Sequence, residues 1–303
     1  MSSPHRAAPD ARREVVLGVL GGSGLYAIDG LENIHQVDLD TPFGKPSGPY
    51  TTGQLSRERR APIKVVFVPR HGPGHTLLPG EVNYRANMHG LKQLGVTHVL
   101  SVSAVGSLRE SIVPGHVVVP DQLIDRTKHR EHTFFGDGLV AHIQFGDPFC
   151  PLMRTQIRDA ATAEGAQVHD GGALVVMEGP AFSTRAESNL YRSWGADLIG
   201  MTALPEAKLA LEAELGYAIL ALATDYDCWR VGKEEVSVDG VIAALKRNVS
   251  LARAIVARLA TALPETTAEF PYPRVLEHAL ITTPDAISAA ARERLDLIIG
   301  HLL

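Results

Sequence analysis

The sequence is poor in cysteine and has no long hydrophobic run, and both absences narrow the class of protein. Its two cysteines, Cys150 and Cys228, form neither a CxxC pair nor any other metal-ligand spacing. A disulfide framework is therefore excluded, and we expect a reducing, cytoplasmic setting. No apolar stretch reaches the roughly 20 residues that a membrane-spanning helix needs. Residues 1–14 are polar, lack the apolar segment of a secretory signal, and are expected to form a disordered lead-in.

Concentrated positive charge is also missing. The formal net charge is −5, and no block rich in Lys and Arg occurs. Nucleic acid is therefore not expected as a partner, because it is recognised through clustered positive charge. Without a spanning segment, no membrane partner is expected either. Hydrophobic residues make up 45% of the chain, which is ordinary for a soluble globular protein and allows a large core.

Apolar runs of strand length alternate with stretches of helical periodicity along the chain. Strands are predicted at residues 15–20, 63–69, 96–103, 115–121, 173–178, 197–201 and 217–224, and helices at 83–94, 151–164, 184–194, 203–215, about 241–259, and 285–303. This alternation predicts a single α/β domain with a central mixed, mostly parallel sheet flanked by helices. We place the domain at residues 15–264 and a proline-containing linker with a C-terminal helix at 265–303. That last helix covers either the core or a partner subunit.

Three predicted strands run into turns that suit an anion. The first turn, Gly21–Gly24, exposes backbone N–H groups and adds the hydroxyl of Ser23. The second carries Arg70 and His71, and a guanidinium is well suited to a bidentate oxyanion contact. The third is the small, hydroxyl-bearing stretch Ser103–Ser107. Together they indicate phosphate or another small oxyanion. A dinucleotide is the alternative for the first turn, although its glycine spacing matches GxGxxG poorly; a plain tight turn is the other.

Two hydroxyl residues precede predicted helices. Thr202 is expected to cap the helix at 203–215, and Ser183 the helix that runs to Trp194. A helix N-terminus attracts anions through its free N–H groups and the positive end of its dipole. Thr202 therefore serves either as a cap alone or as a cap and a ligand-binding residue.

Two carboxylates, Asp225 and Asp227, follow the most apolar strand of the chain. The C-terminal end of a strand is where open α/β sheets bind ligands. If the chain stays extended there, residues two apart face the same side, and repulsion raises the pKa of at least one carboxyl. A carboxyl that keeps its proton near neutral pH can act as an acid or donate a hydrogen bond. An Asp-rich turn that only closes the strand is the alternative.

The histidines do not indicate a metal site. His71 and His75 lie on a Gly-Pro-Gly loop without helical i, i+4 spacing, and no cluster of carboxylates or cysteines joins them. No metal is therefore expected. The stretch 126–149 is irregular and rich in histidine and aromatic residues, which is typical of a functional or interface loop.

An ordered set of motifs resembles the methylthioadenosine phosphorylases of the trimeric purine nucleoside phosphorylase family. The motifs are Gly21-Gly22-Ser23-Gly24-Leu25, Thr41-Pro42-Phe43-Gly44-Lys45-Pro46, Arg70-His71-Gly72 with His75, Asn83-Tyr84, Ser107-Leu108-Arg109-Glu110, Gly179-Pro180 with Phe182-Ser183, Arg185-Ala186-Glu187-Ser188, Trp194-Gly195-Ala196-Asp197 and Asp225-Tyr226-Asp227-Cys228-Trp229. The resemblance covers about residues 15–262 and implies a nucleoside-phosphorylase type of fold.

The resemblance implies a role for each matching residue. Phosphate would be surrounded by Ser23, Arg70, His71, Ser103, Ala104 and Thr202. The nucleoside would be contacted by Met201, Phe182, Asp225, Tyr226, Asp227 and, from a neighbouring subunit, His142. Substrate preference would be set by Ser183, Val236 and Val238, the two valines forming an apolar pocket for a methylthio group unless they only pack in the core. Asp225 would protonate or hydrogen-bond the leaving purine at N7, and Asp227 would receive its 6-amino group.

The implied activity is phosphorolysis of methylthioadenosine in methionine and purine salvage, without an organic cofactor and with phosphate as co-substrate. The implied assembly is a homotrimer, with a hexamer as the alternative. Three other functions remain open from the sequence. They are a phosphorylase that prefers 6-oxopurine nucleosides, an NAD-dependent oxidoreductase that uses the first glycine turn, and a protein that binds purines without turnover.

Overall fold

The structure is a computed structural model that describes residues 13–22, 24–25, 28–230 and 238–303, with the backbone alone over 238–247. Most of the predicted lead-in lies outside these residues. Its last two members, however, are paired: Glu14 bridges Thr266, and the amide of Arg13 donates to Thr267 Oγ1 over 3.1 Å. The prediction of disorder is therefore wrong for these two residues.

Four parallel strands form the centre of one sheet. β1 (Leu17–Gly21) lies between β4 (Arg60–Pro69) and β5 (His98–Ser107), and β11 (Gly216–Asp225) pairs with β5 as well. Leu17 and Gly216 both lie opposite His98, so β1 and β11 begin level with β5. Because the four strands point the same way, their carboxyl ends lie along one edge of the sheet, where open α/β sheets bind ligands.

Shorter strands extend the sheet on both sides. β2 (Leu31–Val37) and β3 (Tyr50–Arg57) add antiparallel pairs next to β4, and β10 (Leu198–Gly200), β9 (Ala173–Met177) and β7 (Gln122–Arg126) follow β5. β6 (Val117–Val119) pairs with β11 and with β8 (Val168–Asp170). Parallel pairings outnumber antiparallel ones in the described sheet, so the predicted mixed, mostly parallel α/β fold is confirmed.

Six helices cover the two faces of the described sheet. They are α1 (Tyr84–Gln93), α2 (Pro151–Ala163), α3 (Arg185–Ser193), α4 (Ala203–Glu212), α5 (Val238–Ala262) and α6 (Ala289–Ile299). The side chain of Ile219 in β11 packs in the hydrophobic cluster that contains residues of α1, α4 and α6. The side chain of the next residue, Leu220, points to the other face of the sheet and packs in the hydrophobic cluster of α2 and α5. This two-sided burial explains the unbroken apolar run of β11. Each fully buried side chain of this size contributes about 1.5–3 kcal/mol. No helix among the described residues is long and apolar enough to cross a membrane.

Two helices begin at caps that the sequence analysis did not identify. The cap of α3 is Thr184 rather than Ser183, and Thr184 forms a capping box with Glu187, three residues further on. The last helix begins at Ala289, four residues later than expected, because the Ser288 hydroxyl caps it and a short 3₁₀ turn occupies Pro284–Ala286.

The C-terminal helix covers the core of its own chain. Ile287, Leu295 and Ile298 are buried in the same cluster as Phe134 and Leu139 of the irregular stretch 126–149. The segment is also tied to that stretch through its backbone, since the amide of His142 donates to the carbonyl of Ala279 over 2.9 Å.

Candidate active site

A cavity of about 250 Å³ opens where β1, β4, β5 and β11 end. The predicted site residues that line it are Arg70, His71, Ser103, Ala104, Phe182, Met201, Thr202, Asp225 and Asp227. The third predicted turn is not a turn, because β5 continues to Ser107 and presents Ser103 and Ala104 from within the strand. One cavity thus brings the predicted anion-binding residues together with the two acidic ones.

Arg70 is held in the floor of the site by a buried carboxylate that the sequence analysis missed. Arg70 is 3% exposed, and its Nε and Nη2 both donate to the carboxylate of Glu206, which is 1% exposed. Nη2 also donates to Ser101 Oγ over 2.6 Å, and Nη1 donates to the Val102 carbonyl over 3.2 Å. Burial alone would lower the pKa of Arg70, but the Glu206 carboxylate raises it above its ordinary value, so the guanidinium stays charged.

The carboxylate of Glu206 accepts hydrogen bonds from several groups. Besides the guanidinium, it accepts from Ser101 Oγ and from the hydroxyl of Tyr217, each over 2.9 Å. Burial raises the pKa of Tyr217 well above its ordinary value, so this hydroxyl keeps its proton and donates. The ion pair therefore satisfies the conditions under which a buried charge pair persists, namely good geometry and additional hydrogen bonds.

A row of hydroxyl groups continues from Arg70 into the cavity. Ser103 Oγ lies 3.4 Å from Ser101 Oγ and 3.5 Å from Thr202 Oγ1. Thr202 occupies the position before α4, but its side chain makes no capping hydrogen bond, so the capping prediction is wrong. Pro205 restricts Leu204 to an extended conformation (φ −119°, ψ 132°), which interrupts the first turn. The Thr202 hydroxyl is therefore directed to the cavity instead of the helix.

His71 lines the cavity beside Arg70 but has one ring nitrogen occupied. Its Nδ1 lies 2.9 Å from the Leu77 carbonyl, and its ring stacks on that of His75 with the centroids 4.3 Å apart. Burial, with a further contribution from the Arg70 charge, lowers the pKa of His71 to about 4.

The two aspartates face the same cavity for a reason other than the predicted one. β11 ends at Asp225, and Asp227 begins a short 3₁₀ turn with φ +51°. The backbone N–H of Asp227 donates to Asp225 Oδ1 over 2.8 Å, and Thr224 Oγ1 donates to Asp225 Oδ2 over 2.7 Å. A tight turn closed by Asp225, not an extended chain, therefore brings both carboxyl groups to one pocket.

Burial raises the pKa of both aspartates above the ordinary value. Asp227 is 6% exposed, and its Oδ2 is buried without a hydrogen-bond partner among the described residues. A buried acceptor without a partner costs about 1–3 kcal/mol, and a ligand that donates to it recovers that free energy. Asp227 lines the cavity, and the hydroxyls of Ser188 and Ser183 lie close enough to its carboxyl group to offset part of the rise in its pKa.

Gly106 leaves room for this pair. A Cβ at Gly106 would lie 2.9 Å from Ile199 Cγ2, 3.1 Å from Asp225 Oδ1 and 3.5 Å from Asp227 Cβ. We expect Gly106→Ala to lower kcat by less than about 10²-fold, because that is the effect of a displacement of about 1 Å and the added Cβ moves Asp225 by only a few tenths of an ångström. Steady-state kinetics measure this, and Gly146→Ala, where a Cβ meets nothing within 4 Å, is the matched control. Equal kcat for both variants would show that the aspartates tolerate displacement.

Arg130, from the irregular stretch 126–149, fixes two loops of the cavity and was also missed. Its Nη1 donates to the carbonyl of Met201 over 2.6 Å and to that of Leu204 over 2.7 Å, and its Nη2 donates to that of Glu178 over 2.7 Å. Five fixed N–H donors allow one guanidinium to join several carbonyls. The position of Met201 at the cavity therefore depends on a residue 71 positions away in the chain.

Several predicted residues lie elsewhere. Tyr226 does not line the cavity; it packs beside Trp229, and its hydroxyl donates to the Glu110 carbonyl over 3.4 Å. Ser183 does not line the cavity, but its hydroxyl lies close enough to Asp227 to lower the pKa of that carboxyl in part, and its carbonyl accepts from Cys228 Sγ. His142 lies in a second cavity of about 530 Å³.

Ser23, Val236 and the side chain of Val238 lie outside the described residues. No group of three or more His, Cys, Asp or Glu within the described ranges is placed to hold a metal ion.

Residues 16–261 match the phosphorylase superfamily. The chain is 56% identical to an S-methyl-5′-thioadenosine phosphorylase from Geobacter sulfurreducens, with 95% of this chain and 99% of that protein covered. It is similar to the crystal structure of a methylthioadenosine phosphorylase from an antarctic soil metagenomic library, with a TM-score of 0.85, 43% identity, and 94% and 99% of the two chains covered.

A second structural neighbour contains a ligand. It is a serine-to-threonine variant of the adenosine/methylthioadenosine phosphorylase of Schistosoma mansoni in complex with methylthioadenosine. The TM-score is 0.75 and the identity 32%, and the match covers 95% of this chain and 99% of that one.

Proposed function

The chain belongs to the phosphorylase superfamily, and from that membership we propose that it converts S-methyl-5′-thioadenosine and phosphate to adenine and 5-methylthioribose 1-phosphate. Such an enzyme is a pentosyltransferase. The observation that carries the proposal is one cavity lined both by a charged, buried Arg70 with neighbouring hydroxyls and by the paired Asp225 and Asp227. The family assignment leaves the dinucleotide-dependent oxidoreductase without support.

The reaction breaks the C1′–N9 bond and forms a bond between C1′ and a phosphate oxygen. Positive charge develops on the sugar, and the electron pair of the broken bond remains on the purine. Bound phosphate next to Arg70, Ser103 and Thr202 offsets the first charge. A proton or hydrogen bond from Asp225 to N7 offsets the second, and a preorganised donor of this kind contributes about 3–4 kcal/mol.

The carboxyl group of Asp227 in the cavity lining supports an aminopurine as the base. A 6-amino group donates hydrogen to an ionised carboxylate, whereas a 6-oxo group presents a second acceptor to it. A site built to pair with one polar group rejects the analogue that leaves the partner unpaired. Met201 is proposed to contact the ribose, and Phe182, which is 40% exposed at the cavity, is proposed to pack against the base.

Asp227→Asn is expected to shift the base preference. The kcat/KM with methylthioadenosine should fall about 10- to 100-fold, because a hydrogen bond to a charged acceptor contributes about 1.5–3 kcal/mol. The amide N–H of asparagine can donate to a 6-oxo group, so activity with methylthioinosine should rise relative to activity with methylthioadenosine. The rates of adenine release from methylthioadenosine and of hypoxanthine release from methylthioinosine give the ratio of the two activities.

Asp147→Asn, an exposed carboxylate outside the cavity, is the matched control and should leave the ratio unchanged. An equal fall with both nucleosides would contradict recognition of the 6-position by Asp227. Preferential hypoxanthine release by the wild type would favour the 6-oxopurine alternative.

The wider context is also part of the proposal. We infer a homotrimer, with a hexamer as the alternative, in which His142 reaches a neighbouring site, and a cytoplasmic role in methionine and purine salvage. No organic cofactor or metal is required by the proposed chemistry. The decisive assay is adenine release from methylthioadenosine with and without inorganic phosphate. Release that does not depend on phosphate would overturn phosphorolysis.

A further inference from the structure

The glycine turn after β1 is held at both of its ends. At the first end, the backbone N–H of Arg70 donates to the carbonyl of Gly21 over 3.2 Å. At the second end, Nε of Arg253, a residue of α5, donates to the carbonyl of Gly24 over 2.6 Å. Gly22, which lies between these two carbonyls in the chain, lines the cavity. The shape of the turn therefore depends on a residue 229 positions further along the chain.

The helix α5 is a firm support for this contact. Ala252, Ile255 and Val256, which flank Arg253 on the helix, are no more than 1% exposed, and they pack in the same hydrophobic cluster as Leu25, the first residue after the turn. The packing of Leu25 holds the chain close to α5, but hydrophobic contacts have no preferred direction. A hydrogen bond does have a preferred direction. Arg253 therefore fixes the orientation of the peptide group at the end of the turn.

Gly24 gives the turn little stiffness of its own. It has a φ of +115°, which side-chain-bearing residues rarely adopt, and glycine loses more conformational freedom on folding than any other residue. A Cβ at Gly24 would lie 3.8 Å from Nη2 of Arg253 and 3.9 Å from Cγ1 of Val249. These two residues of α5 are one helical turn apart and share a face of the helix, so α5 lies directly against the turn. Contacts from outside the turn therefore maintain its conformation.

We propose that Arg253 is a positioning residue, which holds the glycine turn in its anion-binding conformation through the carbonyl of Gly24. This inference rests on the proposed function, because it assumes that the turn faces a bound phosphate, as its glycines and its place after β1 indicate. Arg253 is not among the described residues that line the cavity, so it acts through the backbone of the turn. Met201, Asp225 and Asp227 belong to other segments, and binding of the nucleoside should therefore depend less on Arg253 than binding of phosphate does.

Isothermal titration calorimetry with inorganic phosphate tests this role without requiring turnover. Arg253→Met removes the donor but keeps an unbranched side chain that can cover the same apolar surface. The apparent affinity falls in proportion to the fraction of molecules whose turn keeps the binding conformation. Because a hydrogen bond from a charged group changes such an equilibrium about tenfold or more, the Kd for phosphate should rise about tenfold. An unchanged Kd would overturn the inference.

Steady-state kinetics distinguish positioning of the turn from a general loss of structure. In Arg253→Met the KM for phosphate should rise, whereas kcat and the KM for methylthioadenosine should change much less, because binding of one substrate is weakened in ground state and transition state alike. Arg253→Lys keeps a charged donor without the fixed geometry of the guanidinium, so its KM for phosphate should be intermediate. The lysine variant also keeps the measurement possible if the methionine variant does not fold. Equal increases in the two KM values would contradict the role of Arg253.

Arg258→Met is the matched control. Arg258 lies later on the same helix and pairs with Glu164. The substitution removes the same charge and the same kind of side chain from α5 but leaves the hydrogen bond to Gly24 in place, so the Kd for phosphate should stay at the wild-type value. An equal rise in both variants would assign the effect to the charge of α5 and overturn the positioning role.

The outcomes separate the two proposals. If methylthioadenosine is cleaved with phosphate but Arg253→Met binds phosphate as tightly as the wild type, the role of Arg253 is wrong and the proposed function stands. If the wild type binds phosphate and Arg253→Met binds it more weakly, but no purine nucleoside is cleaved, the proposed function is wrong and the role of Arg253 in anion binding stands.

Discussion

Asp225→Ala is expected to lower kcat with methylthioadenosine by about 10²–10³-fold, the effect of removing one preorganised donor to developing charge. The Asp225 carboxyl is fixed by the Thr224 hydroxyl at 2.7 Å and by the N–H of Asp227 at 2.8 Å. Alanine removes the carboxyl group that we propose faces N7 of the purine, and it also removes the hydrogen bond from the N–H of Asp227 that closes the turn. Single-turnover release of adenine measures the effect on the chemical step.

The pH dependence of the rate provides an independent check of the acid role. An acid must be protonated to act, so the rate of the chemical step falls as pH rises through the pKa of Asp225. Burial raises that pKa, which places the fall at higher pH than an exposed aspartate would give. Asp225→Asn retains a donor that does not titrate, and this descending limb should disappear in that variant.

Stability measurements distinguish a catalytic defect from a folding defect. The pKa of Asp225 is higher in the folded than in the unfolded protein, so its ionised form opposes folding at all pH values above the unfolded pKa of about 3.9. This penalty disappears as pH falls below that value. Asp225→Asn should therefore leave the free energy of unfolding at neutral pH unchanged or higher. Wild-type turnover by a well-folded Asp225→Ala would refute the proposed acid.

The location of the site could be predicted from sequence because it depends on strand ends. Arg70 and Asp225 follow apolar runs that fill the sheet on both faces, and parallel strands place such residues at one edge. The small residue Gly106 lies within the same arrangement and admits both carboxyl groups. Local pattern and topology were sufficient to place Arg70 and Asp225, whereas the role of Gly106 was found only in the structure.

The remaining features depend on partners that are distant in sequence or on turn geometry. Glu206 lies 136 positions from Arg70, and no local pattern pairs them; the only signal is a carboxylate in the first turn of a mostly apolar helix. Arg130 lies in an irregular stretch without periodicity. Asp227 adopts a positive φ that strand periodicity does not predict, and the same turn directs Tyr226 away from the cavity.

Glu206→Gln is expected to produce the largest loss of stability among single substitutions in the site. The amide keeps the shape of the carboxylate but removes its charge, which leaves the guanidinium of Arg70, 3% exposed, without a counter-ion. Breaking a buried ion pair on one side costs about 3–5 kcal/mol. Urea denaturation at neutral pH should show this loss, and the KM for phosphate should rise while the KM for the nucleoside changes less.

The matched control is Glu164→Gln, the same substitution in a more exposed ion pair, in which the side chains of Glu164 and Arg258 are 24% and 49% exposed. The free energy of unfolding of this control variant should change by no more than about 0.5 kcal/mol, since surface substitutions rarely exceed that value. The Glu-to-Gln change is the same in both variants. The difference between their free energies of unfolding therefore measures the effect of burying the ion pair. Equal stability of the two variants, together with an unchanged KM for phosphate, would mean that Ser101 and the Val102 carbonyl hold Arg70 without Glu206. In that case the positive charge of Arg70 would be uncompensated and fully available to a bound anion.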